Sequence, residues 1–208
     1  MIIKVCGMRQ ADNIRQVEDT GIDWMGFIFY PPSPRYVQQR PDYMPLKAKR
    51  VGVFVDADTD FIVARQRDYQ LHMVQLHGKE TPSECQRLKE LMPHIKIIKA
   101  FGIGSIANLN NVADYEGVAD YFVFDTATKL KGGSGKTFNH SLLDHYEGHT
   151  PFLLSGGLSL DNQTETIAFH HPQLIGYDLN SCFELQPGIK DHTKIKQYIN
   201  NLTPIHHE

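Results

Sequence analysis

The chain has 208 residues, 41% of them hydrophobic, and a formal net charge of −3. This length is sufficient to bury a sizeable core, and we expect a single domain over 1–208. Lys and Arg are interspersed with Asp and Glu, so the sequence lacks the basic stripe that nucleic-acid binding requires. Nucleic acid is therefore not an expected partner.

No apolar run approaches the roughly 20 residues of a membrane span, and the first residues lack a signal-peptide pattern. We therefore expect a cytoplasmic protein without a membrane partner. Its three cysteines, Cys6, Cys85 and Cys182, form no CxxC pair. Neither a disulfide framework nor a thiolate metal site is predicted.

Short strand-like runs alternate with longer segments of helical periodicity along the chain. The runs are rich in β-branched and aromatic residues. The eight predicted strands are IIKVC (2–6), WMGFIF (24–29), RVGVFV (50–55), HMVQL (72–76), IKIIKA (95–100), DYFVFD (120–125), PFLLS (151–155) and LIGYDL (174–179).

Helices are predicted between the strands, where capping residues and prolines bound the periodic segments. They include 58–69, 81–92 and 161–170, and a further helical segment covers 189–201. The segment PPSPRYVQQRPDYMP (31–45) contains too many prolines for a long helix. We expect a loop there, with at most a short helix.

Repeated strand–helix–strand units set successive strands parallel, which leaves a closed barrel or an open doubly wound sheet. Eight strands with a helical segment after the last one favour closure into a (β/α)8 TIM barrel. An open sheet that binds a dinucleotide would carry GxGxxG after its first strand. The segment CGMRQAD (6–12) does not match that pattern.

Catalytic groups of such barrels lie at the C-terminal ends of the strands. Four side chains at these predicted ends readily exchange a proton: Cys6, Asp56, His77 and Asp125.

Side-chain alternation along the strands indicates which of these groups face the barrel interior. Lys4 and Cys6 share one face of the first strand, and Asp125 shares the face of Val123 and Tyr121 on the sixth. The residues between them are apolar and suit the helix-facing side. By itself, Cys6 would more often be a small buried hydrophobe than a reactive group.

Glycine-rich segments follow the sixth and seventh strands. They are KGGSGK (131–136) and LLSGGL (153–158), and the last strand is followed by Asn180 and Ser181. Late loops of a barrel often bind phosphate through backbone amides, so together these segments predict an anion site. KGGSGK does not have the spacing of a Walker motif.

Ordered motifs cover essentially the whole chain. They are IKVCGMRQADN (3–13), GFIFYPPSPRYV (26–37), VGVFVD (51–56), VQLHGKE (74–80), FDTATKLKGGSGKTFNH (124–140), LLSGGLSLDN (153–162) and GYDLNSCFELQPGIKD (176–191). In this order they resemble the phosphoribosylanthranilate isomerase family of tryptophan biosynthesis. One departure is that family members commonly have serine and glycine at the positions of Asn180 and Cys182.

The resemblance implies an Amadori rearrangement of N-(5-phosphoribosyl)anthranilate into 1-(2-carboxyphenylamino)-1-deoxyribulose 5-phosphate, without a cofactor or a metal. Asp125 corresponds to the general acid that protonates the ring oxygen, and Cys6 to the general base that removes the C2′ proton. A thiol with an ordinary pKa of about 8.5 serves as this base if the site lowers its pKa.

Further site residues follow from the same resemblance. Arg35 matches the arginine that pairs with the anthranilate carboxylate; otherwise it would be a solvated surface residue. The predicted phosphate contacts are Gly133, Gly135, Gly156, Gly157 and Ser181.

Three residues keep two interpretations. His77 either contacts the substrate or is a hydrogen-bonded structural histidine. Lys4 either pairs with a carboxylate such as Asp178 inside the barrel or extends its amine to water. Asp191 is expected to cap a helix rather than to take part in catalysis.

Other barrel functions fit the sequence less well. An aminoimidazole-carboxamide ribotide isomerase would have aspartates at the first and fifth strand ends, where this chain has Cys6 and Ala100-Phe101. A metal-dependent epimerase needs several His and Asp ligands. A binding protein without turnover would not need both Cys6 and Asp125. The expected partner is a small phosphorylated substrate, and the oligomeric state stays open, with a homodimer among the alternatives.

Overall fold

The computed structural model of the chain describes residues 1–126 and 140–202. Eight parallel strands close into a barrel in chain order, β1 pairing with both β2 and β8. The strands are β1 (Ile2–Cys6), β2 (Trp24–Ile28), β3 (Lys49–Phe54), β4 (Met73–Leu76), β5 (Lys96–Ile103), β6 (Tyr121–Thr126), β7 (Phe152–Leu154) and β8 (Leu174–Leu179). Each predicted strand overlaps one of these, so the predicted (β/α)8 barrel is confirmed.

Helices surround the barrel, although several connections contain only 3-10 turns. The α-helices are α1 (Ala11–Glu18), α2 (Thr59–Tyr69), α3 (Pro82–Leu91), α4 (Gln163–Ala168) and α5 (His192–Leu202). The 3-10 segments are Ile106–Asn111, Ala113–Tyr115, His140–His145 and Ser181–Phe183. None of the described helices is long and apolar enough to cross a membrane.

The predicted helical segment 189–201 is wrong at its start. A two-stranded antiparallel hairpin, β9 (Glu184–Gln186) and β10 (Ile189–Lys190), comes before α5. Its turn contains Gly188, whose φ of 83° is in the left-handed region that favours glycine. Asp191 then begins the helix, because its carboxylate accepts the amides of residues 193 and 194 at 3.1 Å. The interpretation of Asp191 as a helix cap is therefore supported.

The connection from β2 to β3 contains no α-helix, in agreement with its proline content. The carboxylate of Glu18, at the end of α1, holds this connection in place. It accepts the hydroxyl of Tyr43 at 2.6 Å and the amides of Lys47 and Ala48 at 2.6 and 3.0 Å. A long irregular segment is thus fixed to the barrel by one buried acceptor.

Two apolar clusters reflect the two faces of each strand. One fills the barrel interior, and the other packs the outer strand faces against the helices. The interior cluster contains Trp24, Val51, Met73, Ile98, Ala100, Val123 and Leu153. Its apolar packing fills the interior toward the N-terminal strand ends, while polar side chains occupy positions nearer the C-terminal strand ends.

Candidate active site

Cys6 and Asp125 project into the barrel at the C-terminal ends of β1 and β6. Val123 belongs to the interior cluster and Tyr121 packs against it, so Asp125 lies on the same inward face. Ile3 belongs instead to the outer cluster, which places Lys4 and Cys6 inward. The alternation predicted from the sequence is confirmed, and both proposed proton-transfer groups face the same enclosed volume.

The thiol of Cys6 occupies space that a glycine on the neighbouring strand provides. Cys6 is in register with Gly26 of β2. A Cβ atom added to Gly26 would lie 2.8 Å from the Cys6 sulfur and 3.0 Å from its Cα. Any side chain at this position would therefore displace the thiol.

A buried ion pair lies next to Cys6 in the barrel interior. The ammonium of Lys4 is 2.8 Å from the Asp178 carboxylate, and their side chains are 0% and 6% exposed. The two residues are direct partners in the β1–β8 register. The predicted Lys4–Asp178 pair is confirmed, because barrel closure brings the first and last strands together. The second carboxylate oxygen of Asp178 has no hydrogen-bond partner among the described residues.

Burial raises the pKa of the Cys6 thiol, because a thiolate is poorly solvated in the barrel interior. The ammonium groups of Lys4 and Lys190 oppose this effect, whereas the carboxylate of Asp178 adds to it. The condition for Cys6 to act as a base, a lowered thiol pKa, is therefore not met by the described residues alone. The two lysines are the described groups that favour the thiolate.

Arg35 is buried and makes a two-point ion pair. Its Nε and Nη2 donate to the two oxygens of Glu184 at 2.9 and 2.7 Å. Its alkyl stem passes over Gly7, where an added Cβ would lie 2.8 Å from the Arg35 Cδ. Arg35 is only 8% exposed, so the alternative of a solvated surface arginine is wrong. The Arg35 side chain thus lies beside Gly7, the residue that follows Cys6.

Lys190 is a fully buried cation that the sequence analysis did not single out. Its ammonium donates to Glu184 at 2.7 Å and to the side-chain oxygen of Asn180 at 2.7 Å. Burial lowers its pKa to about 8, although Glu184 opposes this shift. The signal available in the sequence was the pair of charged residues flanking the Pro-Gly turn in ELQPGIK (184–190).

His77 follows β4 and lies between the interior and the solvent. Its Nε2 is 3.7 Å from a carboxylate oxygen of Asp125, and its Nδ1 is 3.4 Å from the side-chain Nε2 of Gln75. Its side chain is 38% exposed. The position fits both interpretations of His77, since it has polar neighbours and can also be reached from the barrel mouth.

Asp56 organises the turn after β4. Its carboxylate accepts the amide of Lys79 at 2.6 Å, and its own amide donates to Glu80 at 2.8 Å. Glu80 also pairs with the buried Lys99 at 2.9 Å. Within the described residues, no group of three or more His, Cys, Asp or Glu side chains is arranged to hold a metal ion.

The predicted phosphate residues fall into two groups. Gly156 and Gly157 follow β7 with φ angles of 88° and 68°, and Ser181 begins the 3-10 turn after the adjacent β8. Consecutive left-handed residues turn the backbone sharply in a way that only glycine tolerates well. Gly133 and Gly135 lie outside the described residues.

The family model for N-(5'-phosphoribosyl)anthranilate (PRA) isomerase matches residues 3–201. The chain belongs to this family. An N-(5'-phosphoribosyl)anthranilate isomerase of Phocaeicola vulgatus is 50% identical, and the match covers 97% of this chain and 98% of the relative.

Solved structures agree with this assignment. A phosphoribosyl anthranilate isomerase from Thermotoga maritima has a TM-score of 0.84 at 32% identity, with 97% of this chain and 98% of that chain covered. A second structure, with a TM-score of 0.80 at 30% identity and the same coverage, is a complex with reduced 1-(o-carboxyphenylamino)-1-deoxyribulose 5-phosphate. The family membership and the barrel inferred from the sequence are thus confirmed.

Proposed function

We propose that this isomerase of tryptophan biosynthesis divides its proton transfers between Asp125 and Cys6. Asp125 acts as the general acid: it protonates the furanose ring oxygen of N-(5'-phosphoribosyl)anthranilate, and the ring opens to a Schiff base. Cys6 acts as the general base: its thiolate removes the proton from C2′ to give an enolamine. Tautomerisation of the enolamine yields the 1-amino-1-deoxyribulose product.

The rearrangement balances within the substrate. C1′ is reduced as C2′ is oxidised, so no external oxidant or reductant takes part. Proton donation and proton removal are the two events that the enzyme must supply. The observation that carries the proposal is that one acid and one thiol, on β6 and β1, face the same barrel interior.

The remaining site residues bind the two anionic ends of the substrate. Arg35 pairs with the anthranilate carboxylate, because a planar guanidinium matches a carboxylate with two hydrogen bonds. Gly156, Gly157 and Ser181, together with Gly133 and Gly135, hold the phosphate through main-chain amides. In support, the related isomerase complex contains a ligand with both a carboxyphenyl group and a phosphate.

Turnover assays of two isosteric variants test the proton assignment. Asp125→Asn keeps the shape but cannot donate the proton, and Cys6→Ser keeps a small polar group whose proton is far harder to remove. Each should lower kcat by a factor of about 10² to 10⁴, measured as the loss of substrate fluorescence. Affinity for the reduced product analogue should change little. A Cys6→Ser enzyme with near-native kcat would remove the thiol from the mechanism.

A cytoplasmic location stays a prediction for this chain, and its oligomeric state stays open, with a homodimer as one alternative. Cell fractionation tests the first. Sedimentation at several protein concentrations tests the second, because a reversible dimer dissociates on dilution.

A further inference from the structure

The hairpin after β8 supplies two of the three charged side chains that form one buried network, and the β2–β3 connection supplies the third. Glu184 lies between the guanidinium of Arg35 and the ammonium of Lys190, and the side chains are 5%, 9% and 0% exposed respectively. One Glu184 oxygen, Oε1, accepts from Arg35 Nε at 2.9 Å, from Lys190 at 2.7 Å and from the Gly188 amide at 3.0 Å. The other, Oε2, accepts from Arg35 Nη2 at 2.7 Å.

This geometry fixes one edge of the Arg35 guanidinium and leaves the other edge for a ligand. Glu184 binds the Nε and Nη2 side. Among the described residues, no acceptor contacts Nη1. A second carboxylate can therefore approach the Nη1 and Nη2 end while Glu184 stays in place, because each nitrogen of that end still carries a free N–H donor.

The charges of the network explain why a lysine is buried here. A carboxylate paired with Arg35 alone would cancel the positive charge that attracts an anionic ligand. With Lys190 included, two cations and one carboxylate leave one net positive charge. Arg35 and Lys190 lower the pKa of Glu184 despite its burial, so this carboxylate stays ionised. The pKa of Lys190 is about 8, so its ammonium is mainly protonated at neutral pH.

We propose that Glu184 and Lys190 are positioning residues for Arg35. Glu184 orients the guanidinium toward the anthranilate carboxylate, and Lys190 neutralises Glu184 so that the subsite keeps its positive charge. The network thereby determines selectivity for a substrate with a carboxylate on its aromatic ring. This inference rests on the proposed role of Arg35 in carboxylate binding.

The test compares two ligands by calorimetric titration: reduced 1-(o-carboxyphenylamino)-1-deoxyribulose 5-phosphate and its phenyl counterpart without the carboxylate. Carboxylate selectivity is measured as the dissociation constant of the phenyl ligand divided by that of the carboxylate ligand. Lys190→Met should lower this ratio about tenfold or more, equivalent to about 1.4 kcal/mol, because the subsite loses its net charge. Binding of the phenyl ligand should stay close to wild type.

A second substitution separates the charge effect from a general loss of structure. Adding Glu184→Gln to Lys190→Met removes the carboxylate that cancels the charge of Arg35 and returns one positive charge to the subsite. The double variant should recover part of the lost selectivity without reaching the wild-type ratio, because the guanidinium is no longer held by two oxygens. If Lys190→Met does not fold, the same comparison is made in the Glu184→Gln background, where adding Lys190→Met must again lower the ratio.

The buried Lys99–Glu80 pair provides a matched control. Its ammonium and carboxylate are 2.9 Å apart, with side chains 3% and 5% exposed. Glu80→Gln should lower stability while leaving the selectivity ratio unchanged, because this pair does not contact Arg35.

Two results would overturn the inference. One is an unchanged ratio in folded Lys190→Met, which includes equal weakening of both ligands. The other is a double-variant ratio above wild type, which would identify Glu184 as a competitor for Arg35. A wild-type enzyme that turns over substrate but does not discriminate between the ligands would also overturn it. Absence of turnover in the wild type would instead count against the proposed function.

Discussion

Replacing Lys4 by Met tests whether a buried ammonium supports the thiolate of Cys6, the proposed general base. Burial would lower the pKa of Lys4, but the adjacent Asp178 carboxylate and Cys6 outweigh it and raise this pKa, so the group is a cation at neutral pH. The substitution keeps an extended apolar stem and removes the charge. It leaves the Asp178 carboxylate, 6% exposed, without its ion-pair partner at 2.8 Å.

Breaking a buried ion pair by removing one partner costs about 3 to 5 kcal/mol of unfolding free energy. For a chain of this size each kcal/mol shifts the melting temperature by about 2 to 4 °C, so Lys4→Met should melt roughly 6 to 20 °C lower. Urea unfolding and calorimetry measure these two quantities. Replacing the whole pair, in Lys4→Met/Asp178→Leu, should restore most of the stability, because no buried charge remains uncompensated.

The pKa of the Cys6 thiol should not follow the free energy of unfolding in these two variants. Lys4 favours the thiolate of Cys6 more strongly than Asp178 disfavours it, so both variants should have a higher thiol pKa. The rate of Cys6 alkylation by iodoacetamide, followed against pH by mass spectrometry of the Cys6 peptide, reports this value. An alkylation profile of Lys4→Met that coincides with wild type would refute the electrostatic role of Lys4, whatever happened to stability.

Four further outcomes are expected. Gly26→Ala should lower kcat, because the new Cβ would lie 2.8 Å from the Cys6 sulfur. Steady-state turnover measures this, and an unchanged kcat would show that the thiol can move freely. Arg35→Ala should raise KM and lower kcat/KM, since it removes a charged partner of the carboxylate in both ground and transition states; wild-type values of both would contradict the assignment. Gly156→Ala should weaken inorganic phosphate as a competitive inhibitor, because a φ of 88° is strained for alanine; an unaltered inhibition constant would place the phosphate elsewhere. Lys190 has a folded-state pKa of about 8, below its ordinary 10.5. Between these two pH values the unfolded chain keeps a proton on Lys190 that the folded chain has lost. Stability relative to Lys190→Met should therefore increase from pH 8 to 10 in urea unfolding, and a decrease would contradict the lowered pKa.

Local sequence determined the strands and the inward positions of Cys6 and Asp125, the two proposed proton-transfer groups. Side chains alternate strictly along a strand, so the apolar residues beside Cys6 and Asp125 assign both to the barrel interior from sequence alone. The same rule, with closure of β1 onto β8, predicted the Lys4–Asp178 pair. These inferences needed only short-range periodicity and one topological assumption.

Tertiary structure decided the electrostatics of the site. The ion pair of Arg35 with Glu184 joins residues separated by 149 positions, and no local pattern encodes that distance. The hairpin that delivers Lys190 replaced the start of a predicted helical segment, because Ile189 and Lys190 pair with β9 across the turn at Gly188. The pKa of Cys6 rises rather than falls, since burial and the sum of nearby charges depend on all neighbouring strands at once. The sequence by itself thus determined which chemical groups face the interior, whereas their charge states and orientations follow from long-range packing.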